Sequence, residues 1–169
     1  MPDKSIDLSK ELHSSNESYG LAAAYKLRNS LKGRLEIPSA VNNSAKFKAV
    51  RSILDYGTGK GGLVSLLKES ESLIDIDIQG FDPAVKEFSR RPIQSFDIVT
   101  CIDVLEHIDR DAIGDVIKDI SSLLSGFLFF AIDLVPARKT LSDGRNAHIM
   151  LAPADWWSQQ ISAKFLFTR

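Results

Sequence analysis

A single cysteine, Cys101, leaves the chain without any possible internal disulfide. That excludes the small stapled scaffolds of secreted proteins and suits a reducing, cytoplasmic setting. No hydrophobic run is long either. The most apolar stretch, Leu123 to Val135, falls short of the roughly 20 residues that span a bilayer, so a soluble protein with no membrane partner is expected. Charge of one sign is not in excess: 21 Lys and Arg stand against 22 Asp and Glu, a formal net charge of -1. Such a balance makes no global case for nucleic acid or an acidic membrane as partner. The start of the chain, Met1 to Asn16, is polar and mixed in charge, unlike a signal peptide. Internal repeats and low-complexity tracts are absent, and histidine is scarce, at His13, His107 and His148.

What is present describes one ordinary globular domain. The 169 residues can bury roughly two-thirds of their unfolded surface. With 44% hydrophobic and 25% charged residues, disorder is not the default. Residues 1-18 read as a flexible leader and 19-169 as a single domain. From Lys26 to Arg51 seven basic residues face one acid, Glu36. The plainer reading of that run is a solvated face, and the sharper one is an anionic substrate lying across it.

The element pattern alternates. Tyr19 to Leu31 has helical spacing and Gly33 stops it. Arg51 to Tyr56 reads as a strand ending in glycines, and Gly62 to Ser70 as a helix with Leu63, Leu66 and Leu67 on one face. Leu73 to Asp82 reads as a second strand whose first half alternates. Pro83 to Arg90 has room for a short helix only. Phe96 to Ile102 is apolar enough for a central parallel strand. A helix over Arg110 to Leu124, a strand over Gly126 to Leu134, a polar loop, a helix over Pro153 to Ile161 and a last strand over Lys164 to Phe167 follow. Strands alternating with helices imply a parallel sheet.

The turn after the first strand reads Asp55-Tyr-Gly57-Thr58-Gly59-Lys-Gly-Gly62. Glycines there allow close backbone approach to a ligand, and the following helix directs its unpaired N–H groups at the same place. In open α/β sheets this crevice beyond the carboxyl ends of the strands is where ligands bind. Gly57, Gly59 and Gly62 also satisfy the G-x-G-x-x-G of dinucleotide enzymes, so the turn alone is weak evidence. Two carboxylates narrow it. Asp55 stands where it can meet the cationic amino group of an amino-acid ligand, whereas a pyrophosphate would be repelled. Asp82, closing the second strand before Pro83, can accept two ribose hydroxyls; its plainer role is a helix N-cap.

At these residues the chain resembles the class I S-adenosylmethionine-dependent methyltransferase superfamily. The matching blocks are Asp55-Tyr-Gly-Thr-Gly-Lys-Gly, Gly80-Phe-Asp82-Pro83, and Phe96-Asp-Ile-Val-Thr-Cys-Ile-Asp103-Val-Leu-Glu106-His107-Ile. The resemblance covers about residues 50 to 160. It implies a Rossmann-like, doubly wound α/β fold with a mostly parallel sheet, and one methyltransferase domain over residues 19-169. It also implies S-adenosylmethionine as cofactor, held by Asp55, Gly57, Thr58, Gly59, Asp82, Pro83, Ile102 and Asp103. Two departures stand out. Phe96 follows Asp82 too soon for the further helix and strand that family members usually fit there, and that region normally supplies the adenine contact. The end of the chain is also short. A sheet abbreviated in the middle and at the C-terminus, of five or six strands, is therefore expected.

Transfer of a methyl group to a hydroxyl needs a base or a metal ion to help remove the proton. His107 and His148 are the candidate bases, both at the mouth of the crevice; His13 lies in the leader. Asp103, Glu106, His107 and His148 form a candidate set for a divalent metal such as Mg²⁺, Mn²⁺ or Zn²⁺. That set partly resembles the ubiquinone-pathway O-methyltransferases and the small-RNA 2′-O-methyltransferases, although a second histidine beside His148 is missing. The plainer reading makes Glu106 and His107 structural groups at a helix start. Trp156, Trp157, Phe165 and Phe167 read as core cover or as a stacking surface, and Arg138, Lys139 and Arg145 as ordinary loop residues or as anion holders. The expected activity is methylation of a hydroxyl, less favourably a nitrogen, on a small or anionic acceptor, a small molecule or a nucleic acid, by a monomer or homodimer. Rival readings are a cofactor-binding module without turnover and a nucleotide-dependent oxidoreductase.

Overall fold

The computed structural model describes residues 50–165. The leader, the Tyr19 to Leu31 helix, most of the basic run, His13 and Phe167 lie outside them. Four parallel strands form one sheet in the order β2-β1-β3-β4, with β1 at Ser52–Tyr56, β2 at Asp77–Phe81, β3 at Phe96–Ile102 and β4 at Leu124–Ala131. The helices are α1 (Gly62–Lys68), α2 (Ile113–Ser122) and α3 (Ala154–Phe165). The chain runs outward from β1 to β2, then returns to lay β3 on the other side of β1. That reversal puts the topological switch point between β1 and β3.

Strand alternation divides the core into two layers. One side gathers Ile53, Ile78 and Ile98 under Leu63, Val64 and Leu67 of α1. The other gathers Leu54, Tyr56, Phe81, Val99 and Cys101 under Ile113, Val116, Ile117 and Ile120 of α2, with Trp157 of α3 in the same cluster. The four α2 residues recur at three- and four-residue spacing, so one stripe of that helix is buried. Burying each such side chain stabilises the fold by about 1.5–3 kcal/mol. Asp97 ties the strands at their amino ends, accepting from the N–H of Arg51 and Ser52 at 2.8 and 3.1 Å.

Several boundaries differ from the sequence reading. β2 begins at Asp77 rather than Leu73, because Leu73 N–H and Ile76 N–H close tight turns on Ser70 and Leu73 carbonyls, and only Asp77 reaches β1, at Arg51. The alternating isoleucines are thus not all strand, and Ile74 is 80% exposed. Pro83 to Arg90 yields one 3₁₀ turn, Lys86–Phe88. The last helix runs through Phe165, so Lys164 and Phe165 are not the start of a strand. Among the described residues the sheet has four strands, not five or six, because helix runs on through Phe165 where the fifth strand was expected to begin.

Candidate functional site

The carboxyl ends of β1, β2 and β3 converge at the switch point, and the turn after β1 is built on left-handed backbone. Gly57, Gly59 and Gly61 have φ of 78°, 54° and 77°. The N–H groups of Gly57 and Thr58 bond the Phe81 carbonyl at 2.7 and 3.2 Å, locking the turn to the end of β2. Packing explains two of the glycines: a Cβ on Gly57 would run into Val104, and one on Gly61 would lie 2.6 Å from the Phe88 ring.

Asp82 is buried at 4% exposure. Gly59 N–H donates to its Oδ2 at 3.0 Å and Ala84 N–H to its Oδ1 at 2.9 Å, a side-chain turn around half-buried Pro83 and not a helix N-cap, since the 3₁₀ turn that follows is preceded by Val85 and has no side-chain cap. One carboxylate therefore fixes both the glycine turn and the residue beyond Pro83. Asp55 is buried too, and accepts from the Thr100 hydroxyl at 2.8 Å. Burial raises its pKa, against the pull of that hydroxyl. A carboxyl placed so gains from a nearby cation. Thr58 is buried in the turn and Ile102 half-buried at the end of β3.

After β3 the chain makes a strained step. Asp103 has a φ of 53°, a region that non-glycine residues enter at a cost of about 1–3 kcal/mol. Its N–H still bonds the Ala131 carbonyl of β4. Burial raises the Asp103 pKa, the charge of Asp133 adds to this, and His148 opposes it. The next turn carries Glu106 and His107. Glu106 is fully buried, and Asp133 N–H donates to its Oε1 at 2.9 Å while Oε2 has no partner. Desolvation pushes its pKa up to about 7, against the Asp133 hydrogen bond.

The two imidazoles of His107 and His148 lie together. His107 Nδ1 lies 2.7 Å from the Ala147 carbonyl and His148 Nδ1 2.6 Å from the Val135 carbonyl. A carbonyl only accepts, so each Nδ1 carries the proton and each Nε2 is the basic nitrogen. The two rings meet edge to face, their centroids 4.9 Å apart. Ligand atoms of Glu106, His107 and His148 all fall within 4.8 Å of one another, whereas Asp103 is outside that group.

Other expectations sort themselves by contact. Trp157 is core, and Trp156 lies under the Arg110 guanidinium, 5.1 Å from the ring centroid, which favours the packing role for the pair. Phe165 meets Phe130 edge to face, again as packing. Arg145 is engaged by Asp143 at 2.7 Å and Asp109 at 3.8 Å, which leaves it poorly placed to hold an anion. Apolar Leu134, Val135 and Leu151 are exposed in the same two loops that carry Asp133 and His148. Sequence reasoning missed Thr100, Asp133 and Phe88. A hydroxyl in the apolar second half of the third strand and the first acid after the fourth were signals for the first two; Phe88 gave none.

A family model described as a methyltransferase domain matches residues 30–165. Among solved structures, the plantazolicin methyltransferase BpumL, with a monoazolic desmethylPZN analog and S-adenosylhomocysteine (SAH), is 12% identical at a TM-score of 0.58, covering 95% of this chain and 76% of that one. The DhpI–SAH complex is 17% identical at 0.50, covering 94% and 86%. An O-methyltransferase family protein from Burkholderia thailandensis is 14% identical at 0.52, covering 85% and 53%. At such identities the likeness is one of fold. No curated protein matches the chain in sequence.

Proposed function

The chain belongs to the methyltransferase-domain family, within the class I superfamily, and on that premise we propose that it transfers a methyl group from S-adenosylmethionine to a hydroxyl, or less favourably a nitrogen, of a small acceptor. The observation that carries this reading is the left-handed glycine turn at the β1/β3 switch point, pinned by the buried carboxylate of Asp82. The residues present fit such a ligand. Asp82 Oδ2 accepts from Gly59 N–H and Oδ1 from Ala84 N–H, which fixes a buried carboxylate at the end of β2 where a ribose hydroxyl would find an acceptor. Asp55, whose burial makes a nearby cation favourable, suits the ammonium end. Thr58, Pro83, Ile102 and Asp103 would line the space between them.

When bound, S-adenosylmethionine supplies an electrophilic methyl group on a sulfonium. The chain supplies alignment, exclusion of water and a place for the acceptor's proton. His148 Nε2 is the favoured proton acceptor, since the Val135 carbonyl holds its ring and its tautomer. His107 would serve the same purpose from the other side of the ring pair. Leu134, Val135 and Leu151 offer an apolar rim to the acceptor's body.

A second reading of the same mouth is favoured by the unpartnered Oε2 of Glu106. With His107 and His148 it makes a carboxylate–bis-imidazole set suited to Mn²⁺ or Zn²⁺, which would polarise the acceptor oxygen. One calorimetric series tests both readings: SAH alone, then SAH with Mn²⁺ or Zn²⁺. Micromolar SAH binding supports the cofactor assignment and metal-dependent heat supports the cation. Absence of SAH binding under every condition would sink the proposal.

A further inference from the structure

Between β4 and α3 the chain folds back on itself before it delivers His148. Leu141 N–H bonds the Arg145 carbonyl at 2.8 Å and Ala147 N–H the Lys139 carbonyl at 3.0 Å, while Thr140 bridges Asn146 in antiparallel fashion. Gly144, at a φ of 86°, makes the tip. Half-buried Asn146 stands at the neck of this small hairpin. Its Oδ1 accepts from Ala137 N–H and from His148 N–H, both at 2.9 Å, and its Nδ2 donates to the Ala137 carbonyl at 2.8 Å. Turning the amide over would set its NH₂ against two N–H donors, so its partners fix the orientation.

The residues on either side of this clamp carry the carbonyls that orient the imidazoles. Val135, two residues before Ala137, accepts from His148 Nδ1 at 2.6 Å. Ala147, the residue after Asn146, accepts from His107 Nδ1 at 2.7 Å. Pro136 joins Val135 to Ala137 with its φ locked by the ring, so a shift of Ala137 passes to the Val135 carbonyl with little slack. On its other side Val135 is held by Asp133, whose Oδ1 accepts its N–H at 3.2 Å and whose own N–H reaches Glu106. The segment from Asp133 to Ala137 is thus anchored at both ends, by a buried carboxylate and by the Asn146 amide.

We propose that Asn146 is the positioning residue of this site: through Ala137 and Ala147 it sets the two carbonyls that orient His148 and His107. The inference rests on the reading above, in which these imidazoles receive the acceptor's proton. A ring whose Nδ1–H is held by a carbonyl keeps Nε2 unprotonated for chemistry at the mouth. A ring released from that carbonyl exchanges between two tautomers, and Nε2 then carries the proton part of the time and accepts none. Asn146 acts on the backbone alone and takes no proton itself.

The test reads the rings directly, by proton–nitrogen correlation spectra of the metal-free full chain at alkaline pH, where the imidazoles are neutral. His13 is assigned by its loss in His13→Gln. In the wild type, His107 and His148 are expected to show Nδ1 protonated and Nε2 unprotonated. Asn146→Ala is expected to lose that signature at His148, whose nitrogen shifts move toward the averaged values of exchanging tautomers, and to weaken it at His107. Asn146→Asp, which keeps an acceptor for both N–H groups, is expected to recover the His148 signature. A folded Asn146→Ala with wild-type nitrogen shifts overturns the proposal, as does a wild type protonated at Nε2. Should Asn146→Ala not fold, wild-type amide exchange decides: protection at Ala137 and His148 supports the clamp, and exchange at unprotected rates overturns it. Calorimetry keeps the two readings apart, since a wild type that binds no SAH sinks methyl transfer while the tautomer result stands or falls by itself.

Discussion

Asp82 holds the backbone on both sides of the proposed ligand, through Gly59 N–H and Ala84 N–H, so its substitutions carry two separable effects. Asp82→Ala removes the acceptor of two buried donors and the ribose partner together. Calorimetry should show SAH affinity falling about tenfold or more, and melting a stability loss of about 1–3 kcal/mol. Asp82→Asn keeps one oxygen acceptor and should recover part of the stability without restoring affinity. Affinity left intact in both variants would contradict the ribose assignment. Glu106 makes a prediction in pH. Its folded pKa of about 7 lies above the ordinary 4.5, so between those values the folded state holds a proton that the unfolded state has lost. Wild-type stability should therefore fall as pH rises from about 4.5 to about 7, and Glu106→Gln should reduce that fall, leaving the share that raised Asp55 and Asp103 contribute. Metal-free protein melted at pH 5 and at pH 8 checks it; equal pH slopes in the two proteins would contradict the assignment. The role of Glu106 as a fully buried group was not legible in the sequence. Its neighbours Asp133 and Met150 are remote in the chain, and only folding brings Asp133 N–H and the Met150 backbone against it.

The glycine turn shows which local features an element inherits from its neighbours. Gly61 has a φ of 77° and the Phe88 ring against it, so Gly61→Ala pays twice, in backbone strain and in a clash. The expected loss is about 1–3 kcal/mol by thermal melting. Adding Phe88→Ala should relieve the clash and leave the strain, giving a double variant less destabilised than the two single losses summed. Strict additivity would mean that the ring and Gly61 do not interact. The turn, α1 and β3 were legible because each has a local signature: clustered glycines, leucines at helical spacing, a continuous apolar run. Phe88 was not, because it belongs to a short connection whose 3₁₀ turn has no period to read. The start of β2 failed for a related reason. Alternation over Ile74 and Ile76 looks like strand, but β1 is only five residues long and on that edge pairs only with Asp77 to Phe81.

At the scale of the molecule, α/β alternation and the parallel sheet could be read from the order of elements, because each strand–helix pair must bury its apolar face on the next. The strand order could not: hydrophobic pattern shows that a strand exists, whereas its neighbours depend on which crossover packs on which side. The consequence for ligand binding is testable on the intact chain. Every residue assigned to the cofactor sits at the carboxyl ends of β1, β2 and β3, while β4 is paired to β3 along its length and only partly buried. A ligand held by the folded state alone stabilises it by about 2.7 kcal/mol at 100 times its dissociation constant. Saturating SAH should thus raise the melting temperature. Amide exchange should slow most at Gly57 to Gly61, at Asp82 to Ala84 and around Asp103, where backbone fixed by Asp82 and the glycine turn meets the ligand. Slowing concentrated in β4 instead would place the ligand on the wrong edge of the sheet and contradict the switch-point assignment, whatever the affinity.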